Sequence, residues 1–328
     1  MDLLALLQPE APVLAGAVLV ALGWDRMFGE PPVRLHPVVA MGHYLGAVGR
    51  QVAPVAGAVS RPAVEFGRGA LGWCLGAVLA MGLALVGAAA MQGLNALWQV
   101  LLLGLLLKPL LAWRMLRDEV QAVESALAES LEAGRARVGW LVSRDVSVLS
   151  ESQVREAAIA TLAENLNDSV VAPLFWFALA GLPGAALYRF ANTADAMWGY
   201  QGVRQGRDWA WAGKWAARAD DALSWLPARL TALLLLLPNP CRGAAAVLAN
   251  ARLTPSPNGG WPMGALALRL GIRLGKPGVY DLNPQGPAPR TADTAQALRR
   301  CGRVVGILVG LAIVVLGWIG ASAAGAAV

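Results

Sequence analysis

The chain reads as an all-α, polytopic integral membrane protein. About four to five transmembrane helices are expected, with re-entrant or broken helices and cytoplasm-facing helical loops between them. Three observations carry this. Of 328 residues, 57% are hydrophobic and only 15% are charged, against roughly 45–50% and about 25% in soluble domains. The apolar residues gather in uncharged runs, the longest being 69–107 and 304–328, each long enough to cross a hydrocarbon core of about 30 Å. Thirteen tryptophans, against five Phe and four Tyr, suit anchoring at membrane interfaces. The same figures argue against a soluble domain, a disordered chain or a nucleic-acid binder. The formal charge of +6 is better read as topology, because basic residues collect on the cytoplasmic side of membrane proteins.

Each element follows from local sequence. The first span is expected near 3–24, interrupted by Pro9, Glu10 and Pro12. No basic segment precedes it and no cleavage site follows, so it reads as an anchor rather than a signal peptide. The run 69–107 would be roughly 58 Å long as one helix, almost twice the hydrocarbon thickness. It must fold back as a hairpin, with the turn near 92–95. Leu116–Ala133 is an amphipathic helix: Leu116, Val120, Val123, Leu127 and Leu131 recur at three to four residues, and Gly134 is a natural stop. Ser150 and Gln153 have the spacing of a capping box and start a helix running to about Asn167. The run 169–188 carries Pro173 and Pro183, and 230–241 has only 12 residues and meets Pro238. Both read as broken or re-entrant segments, tolerated where buried in protein or lining a cavity. Residues 304–328 form the last span. The chain is expected to be a single membrane-embedded domain over 1–328.

All 27 basic residues fall in four polar blocks (25–68, 108–168, 189–229 and 239–303). Because every block is basic, the simplest topology puts all four on the cytoplasmic face. Ten of the 21 acids lie in the block that ends at Asp168. Cys74, Cys241 and Cys301 are too far apart for a disulfide framework or a paired metal site.

No phosphate-cradling G-x-x-x-x-G-K-[ST] loop and no HExxH motif is present. His36 and His43 form a weak metal pair, more simply read as packed or capping residues. What remains are carboxylates and amides beside the apolar runs. Glu164, Asn165 and Asp168 close one helix, with Glu164 and Asp168 on one face. Asn192 and Asp195 follow Tyr188. Asp220 and Asp221 precede Pro227 and Arg229. Ser143, Arg144 and Asp145 form a fourth group. Acids at a membrane boundary are costly to bury unless paired or metal-bound, which makes them functional candidates. Oxygen ligands of this kind suit Mg²⁺, which takes one or two carboxylates plus substrate phosphates. The plain alternative is a set of interhelical hydrogen bonds and ion pairs.

In order along the chain, these residues resemble the cobalamin biosynthesis protein CobD/CbiB family, the adenosylcobinamide-phosphate synthases. Asp25, Gly29, Pro31, His36, Pro37, Val38 and Gly42 resemble its D…GDP…HPV…G. Ser143-Arg144-Asp145 resembles its (G/S)RD. Ala163-Glu164-Asn165, Asp168 and Ala172-Pro173-Leu174-Phe175 resemble AEN..D...APLF. Tyr188, Asn192, Thr193, Asp195, Met197, Gly199 and Tyr200 resemble Y...NT.D.M.GY. Gly213, Ala217, Arg218, Asp220, Asp221 and 226–230 resemble G...AR.DD...LPARL. Ser256-Pro257-Asn258 and Trp261 resemble SPN..W. The likeness covers nearly the whole chain.

The resemblance implies a membrane enzyme of the cell (inner) membrane that joins adenosylcobyric acid to (R)-1-amino-2-propanol O-2-phosphate as an amide, using ATP and Mg²⁺. It implies Glu164, Asn165, Asp168, Asp195, Asp220 and Asp221 as catalytic residues, with Glu164, Asp168, Asp220 and Asp221 holding Mg²⁺. It implies Arg144, Asp145, Asn192, Tyr200, Arg218, Arg229, Asn258 and His36 as substrate-binding residues. The implied partners are the corrinoid, the aminopropanol phosphate and membrane lipid, possible association with other late cobalamin-pathway membrane enzymes, and no nucleic acid. Gln201, Met263 and Lys276 depart from the family pattern and leave room for a shifted amine substrate. Two rivals are a membrane prenyltransferase with a Mg-diphosphate site and a transporter with broken helices. The first lacks the repeated Asp-rich spacing, and the second lacks a visible inverted repeat.

Overall fold

The computed structural model describes residues 10–238 and 243–325, with side chains through 318. Twelve helices and two short hairpins are described, and the architecture is all-α. Five helical stretches are long and apolar enough to cross a membrane: Ala11–Phe28, Pro62–Ala90, Ala96–Glu129, Glu151–Trp198 and Thr291–Trp318. The protein is therefore a polytopic membrane protein, as its composition predicts. The contacts group into two compact units. The first comprises described parts of 1–111, 172–223 and 309–328; the second comprises 112–171 and 224–308.

In the first unit, helix α1 (Ala11–Phe28) continues past the expected end at 24; the expected residues 3–9 lie outside the described part. Helix α2 (Pro37–Val52) is capped by His36, whose Nδ1 accepts from the Val38 amide. The hairpin forms as expected. Helix α3 (Pro62–Ala90) turns at 91–95 into α4 (Ala96–Leu107), which Asn95 caps. Helix α3 begins earlier than the uncharged run suggests, because Glu65 accepts from the Arg61 amide and Ser60 hydroxyl and so stabilises its first turn. Helix α1 packs along α4, and α3 along α8 (Ala172–Trp198). The core is aromatic and small: Trp73, Phe190, Trp198 and Trp209 with Ala191, Ala194, Ala212 and Ala216. Trp198 stacks on Trp209 with centroids 5.8 Å apart and donates to the Leu45 carbonyl. These tryptophans pack the interior, where the sequence suggested interfacial anchors for the residue type as a whole.

In the second unit, α5 (Trp113–Glu129) buries the stripe Leu116, Val120, Val123 and Leu127. The expected stop at Gly134 is wrong. The break falls at Ser130, whose extended backbone and hydroxyl cap a second helix, α6 (Leu131–Val138), so Gly134 lies inside it. Helix α7 (Glu151–Leu166) opens on the full capping box of Ser150 and Gln153. It does not end there. The chain continues through a π-helical turn, Asn167–Val171, into α8. Glu164 and Asp168 therefore lie within a long helical stretch rather than at its close, and the wider turn alters which neighbour each side chain faces. The 48-residue stretch would span about 72 Å if straight. It breaks at Ala180 and Gly181, where Gly181 takes φ of 59°, a conformation glycine adopts at little steric cost. Pro183 then sits in the first turn of the following segment, where its missing N–H is tolerated. The expected broken segment at 169–188 is thus observed as a break.

Helix α9 (Lys214–Leu236) contains Pro227 and covers part of the expected 230–241 segment, whose last residues lie outside the described part. Helices α10 (Ala244–Ala251) and α11 (Gly260–Leu270) pack together, and a β-hairpin, β3 (Leu274–Lys276) with β4 (Tyr280–Leu282), lies on α7. It follows β1 (Val203–Arg204) and β2 (Arg207–Asp208). The last span begins earlier than 304: α12 runs over Thr291–Gly325.

Candidate functional site

In the second unit, the site is built where α7, the loop into α11 and the β3–β4 hairpin meet. Ser256 folds the loop: its hydroxyl accepts from the Asn258 and Gly259 amides, a local motif that suits serine before a helix. A Cβ on Gly259 would lie 3.0 Å from Glu164 Oε1, so glycine lets the loop backbone approach that carboxylate. Tyr280 comes from β4. Its hydroxyl reaches Met263 Sδ at 3.5 Å. Burial, and then the negative charge of Glu164, push its phenol up to about 12, with Arg144 opposing. Arg144 and Glu164 are thereby both close enough to act on Tyr280 electrostatically. Arg144 is half-buried, and its Nε and Nη1 are enclosed without a hydrogen-bond partner among the described residues. Next to it, Asp145 is exposed and accepts from the Ser147 amide at 2.8 Å, which holds its carboxyl below the ordinary range.

Arg229 is held differently. Its Nη1 donates to Asn258 Oδ1 at 2.9 Å and to the Trp225 carbonyl at 2.6 Å, and its Nη2 donates to the Pro257 carbonyl. The guanidinium carbon lies over the rings of both Trp225 and Trp261, 4.2 and 4.6 Å from their centroids. Burial lowers its pKa. This is a clamp on the 256–260 loop, and it orients Asn258, which is 5% exposed.

Below these residues, the π turn presents Asp168. Asn167 Nδ2 donates to Asp168 Oδ1 at 2.8 Å, and Thr231 donates to Asn167 Oδ1. Asn165 donates to the Thr161 carbonyl of its own helix. Asn167 and Thr231 are buried and fix the orientation of Asp168. In the sequence Asn167 reads only as a helix end, and Thr231 carries no signal because the two are distant in the chain. Glu156 likewise carries no signal: it resembles a solvated helix position yet is 1% exposed. Glu156 accepts from the Gly275 amide at 2.8 Å and faces Arg273 at 3.4 Å. It lines, with Tyr280, Lys276 and Gln153, a hollow of about 290 Å³.

In the first unit, α8 and α9 bring together Asn192 and Asp220, with Nδ2 to Oδ1 at 3.5 Å, and Arg189 meets Asn192 at the same distance. Both bonds are at the long limit of the class. Burial raises the pKa of the half-buried Asp221. Asp195 sits one turn before Gly199, whose amide donates to its carbonyl. Tyr200 is covered by the guanidinium of Arg204 at 4.4 Å, and Arg218 is exposed. His36 belongs to another assembly of that unit. Its Nε2 lies 3.2 Å from Glu30, which also binds the buried Lys108 at 2.7 Å, and Lys108 lies 3.2 Å from Asp25. Burial would raise the Glu30 carboxyl, but the bonds from His36 and Lys108 outweigh it and hold it low.

Among the described residues, no three His, Cys, Asp or Glu side chains converge on a metal-sized point. A Mg²⁺ ion would therefore take at most two of these carboxylates, the remaining ligands being phosphate and water, which is its usual habit. The donor set fits on those terms.

The fold defines a polytopic membrane protein with carboxylate, amide and guanidinium groups clustered within each of its two units. The family described as CobD/Cbib protein matches residues 18–321. The chain belongs to that family. It is 40% identical over 281 residues to the probable cobalamin biosynthesis protein CobD of Thermococcus kodakarensis, covering 86% of this chain and 88% of the relative. It is 41% identical over 276 residues to the protein of the same description in Methanothermobacter thermautotrophicus, covering 81% and 85%. It is 40% identical over 298 residues to the cobalamin biosynthesis protein CobD of Chromobacterium violaceum, covering 87% and 91%. No solved structure matches it.

Proposed function

We propose that the protein acts in cobalamin biosynthesis as an adenosylcobinamide-phosphate synthase. It would form the amide between a propionate carboxyl of adenosylcobyric acid and the amine of (R)-1-amino-2-propanol O-2-phosphate, on the cytoplasmic face of the cell membrane. The observation that supports this reading is Arg144, whose Nε and Nη1 are enclosed without a hydrogen-bond partner among the described residues and whose charge, like that of Glu164, acts on Tyr280. The two charges complement a small molecule that bears a phosphate at one end and an ammonium at the other.

A carboxylate does not condense with an amine in water without activation. Phosphoryl transfer from ATP to the propionate oxygen gives an acyl phosphate and ADP. Attack of the neutral amine on the acyl carbon then forms the C–N bond, and phosphate leaves with the C–O electron pair. In this scheme Arg144 binds the amine substrate's phosphate. Glu164 pairs with its ammonium and accepts the proton released as the amine becomes nucleophilic. Tyr280, whose phenol stays protonated at physiological pH, can donate a hydrogen bond and does not act as a base. Asp168, held by Asn167, would hold Mg²⁺ together with substrate phosphate, and the Asp220–Asp221 pair is a second candidate ligand pair within its own unit; the ion would supply neutralisation of developing charge on phosphoryl oxygens. Arg229 holds the loop that frames the site.

Membranes carrying the protein, incubated with adenosylcobyric acid, aminopropanol phosphate and Mg-ATP, should yield the amide together with stoichiometric ADP. Amide absent under all conditions, from protein shown to be folded, would defeat the reading.

A further inference from the structure

Three arginines lie at the start of the last span, and a fourth acts on one of them from α11. Arg299, Arg300 and Arg303 are on α12, immediately before the uncharged run that begins at Val304. Arg299 and Arg303 are four apart, and Arg300 and Arg303 three apart, so their charges share one side of the helix. Arg269, from the last turn of α11, comes close enough that its charge, like that of Arg303, acts on Arg300. All four belong to the second unit.

Like charges at these spacings destabilise a helix unless a counterion is present. No described carboxylate forms an ion pair with any of the four. Among the described residues, Arg269 has one long bond, Nη2 to the Leu237 carbonyl at 3.5 Å, and its Nε is enclosed without a hydrogen-bond partner. Two other partly buried arginines of the unit do have carboxylate partners. Arg155 is bound by Glu124 and Glu151, and Arg137 by Glu119.

Position supplies the missing anion. Helix α12 has 35 residues, about 52 Å, against a hydrocarbon core of about 30 Å. The uncharged part from Val304 suffices to fill that core. The guanidiniums therefore stand at headgroup level, where phosphodiesters are concentrated. Arg269, from the last turn of a second helix, adds its charge to that helix end.

We propose that Arg269, Arg300 and Arg303, with Arg299 at the rim, form a binding site for the phosphate of an anionic phospholipid headgroup. The site is separate from Arg144 and Glu164, and it does not rest on the proposed reaction.

The test uses the full chain, purified in neutral detergent, delipidated and titrated with phosphatidylglycerol, with bound lipid counted by native mass spectrometry. Phosphatidylglycerol should bind better than phosphatidylcholine, and millimolar inorganic phosphate should not displace it. The triple variant R269Q/R300Q/R303Q should bind about a hundredfold more weakly, near fivefold per charge removed. The lysine triple R269K/R300K/R303K, and R300Q alone, keep the test open if the glutamine triple does not fold. The lysine triple should retain most of the affinity, and R300Q should lose about fivefold. Equal affinity for the two lipids, or glutamine variants that bind as wild type does, would overturn the proposal. Displacement by inorganic phosphate would assign the site to a soluble phosphate and overturn the lipid.

Discussion

Arg229 and Arg144 offer the same functional group in two opposite conditions. Around Arg229 the donors meet carbonyls and Asn258, and the guanidinium carbon lies over two indoles. At Arg144, two enclosed nitrogens have no partner among the described residues, and its charge, like that of Glu164, acts on Tyr280. Resemblance to the family put both among substrate binders. Their surroundings separate them: one guanidinium shapes a loop, the other keeps donors for an incoming anion. The difference teaches that, in a polar array inside a membrane protein, availability rather than charge identifies the binder.

The sharpest way to break this comparison is R144Q. Loss of two charge-assisted hydrogen bonds, each about 1.5 kcal/mol, should lower kcat/KM for the amine substrate about 150-fold. The melting temperature should not fall, because no protein partner loses a bond at those two nitrogens. A matching fall in stability would make Arg144 structural. R229K should show the converse. Lysine lacks the planar fork and cannot bridge Asn258 and two carbonyls while stacked, so melting should fall by several degrees and activity about tenfold through a displaced loop. Unchanged melting in R229K would remove the clamp.

Asp221 sharpens the contrast in the other unit. Its carboxyl is raised by burial. The folded protein therefore holds this proton more tightly than the unfolded chain, and stability falls as pH rises from about 4 through the folded value. D221N removes that penalty. It should be as stable as wild type below about pH 4 and more stable at neutral pH, while losing activity. A melting curve whose difference from wild type does not vary with pH would contradict this. The smallest effect is expected for Y280F: one neutral hydrogen bond, about threefold to tenfold in kcat, with no change in the alkaline limb of the rate profile, since the phenol titrates only near 12.

Much of the frame was legible because its causes are local. The 91–95 turn follows from a run too long for one crossing and from Asn95 as a cap. The Ser150 box reads from four residues, and the break at 180–181 is announced by nearby Pro183. Local reading failed where two helix signals competed. At 130–134 a serine cap prevailed over a glycine, and at 167–171 an added residue was absorbed as a π turn without ending the helix. Positions of the acids were legible, but their partners were not. Glu156 with Gly275, Asn167 with Thr231, and Arg229 with Trp225 and Trp261 are set by packing between distant segments, which spacing cannot encode. The tryptophans show the same limit, since Trp198 and Trp209 are core residues by tertiary contact alone.

The central claim, that Arg144 receives the substrate phosphate while Arg229 holds the loop, is tested most directly by titrating aminopropanol phosphate into the purified full-length protein by calorimetry. Wild type should bind, R229K should bind within about threefold of it, and R144Q should bind more weakly by about tenfold or more. R144Q binding as tightly as wild type would contradict the account.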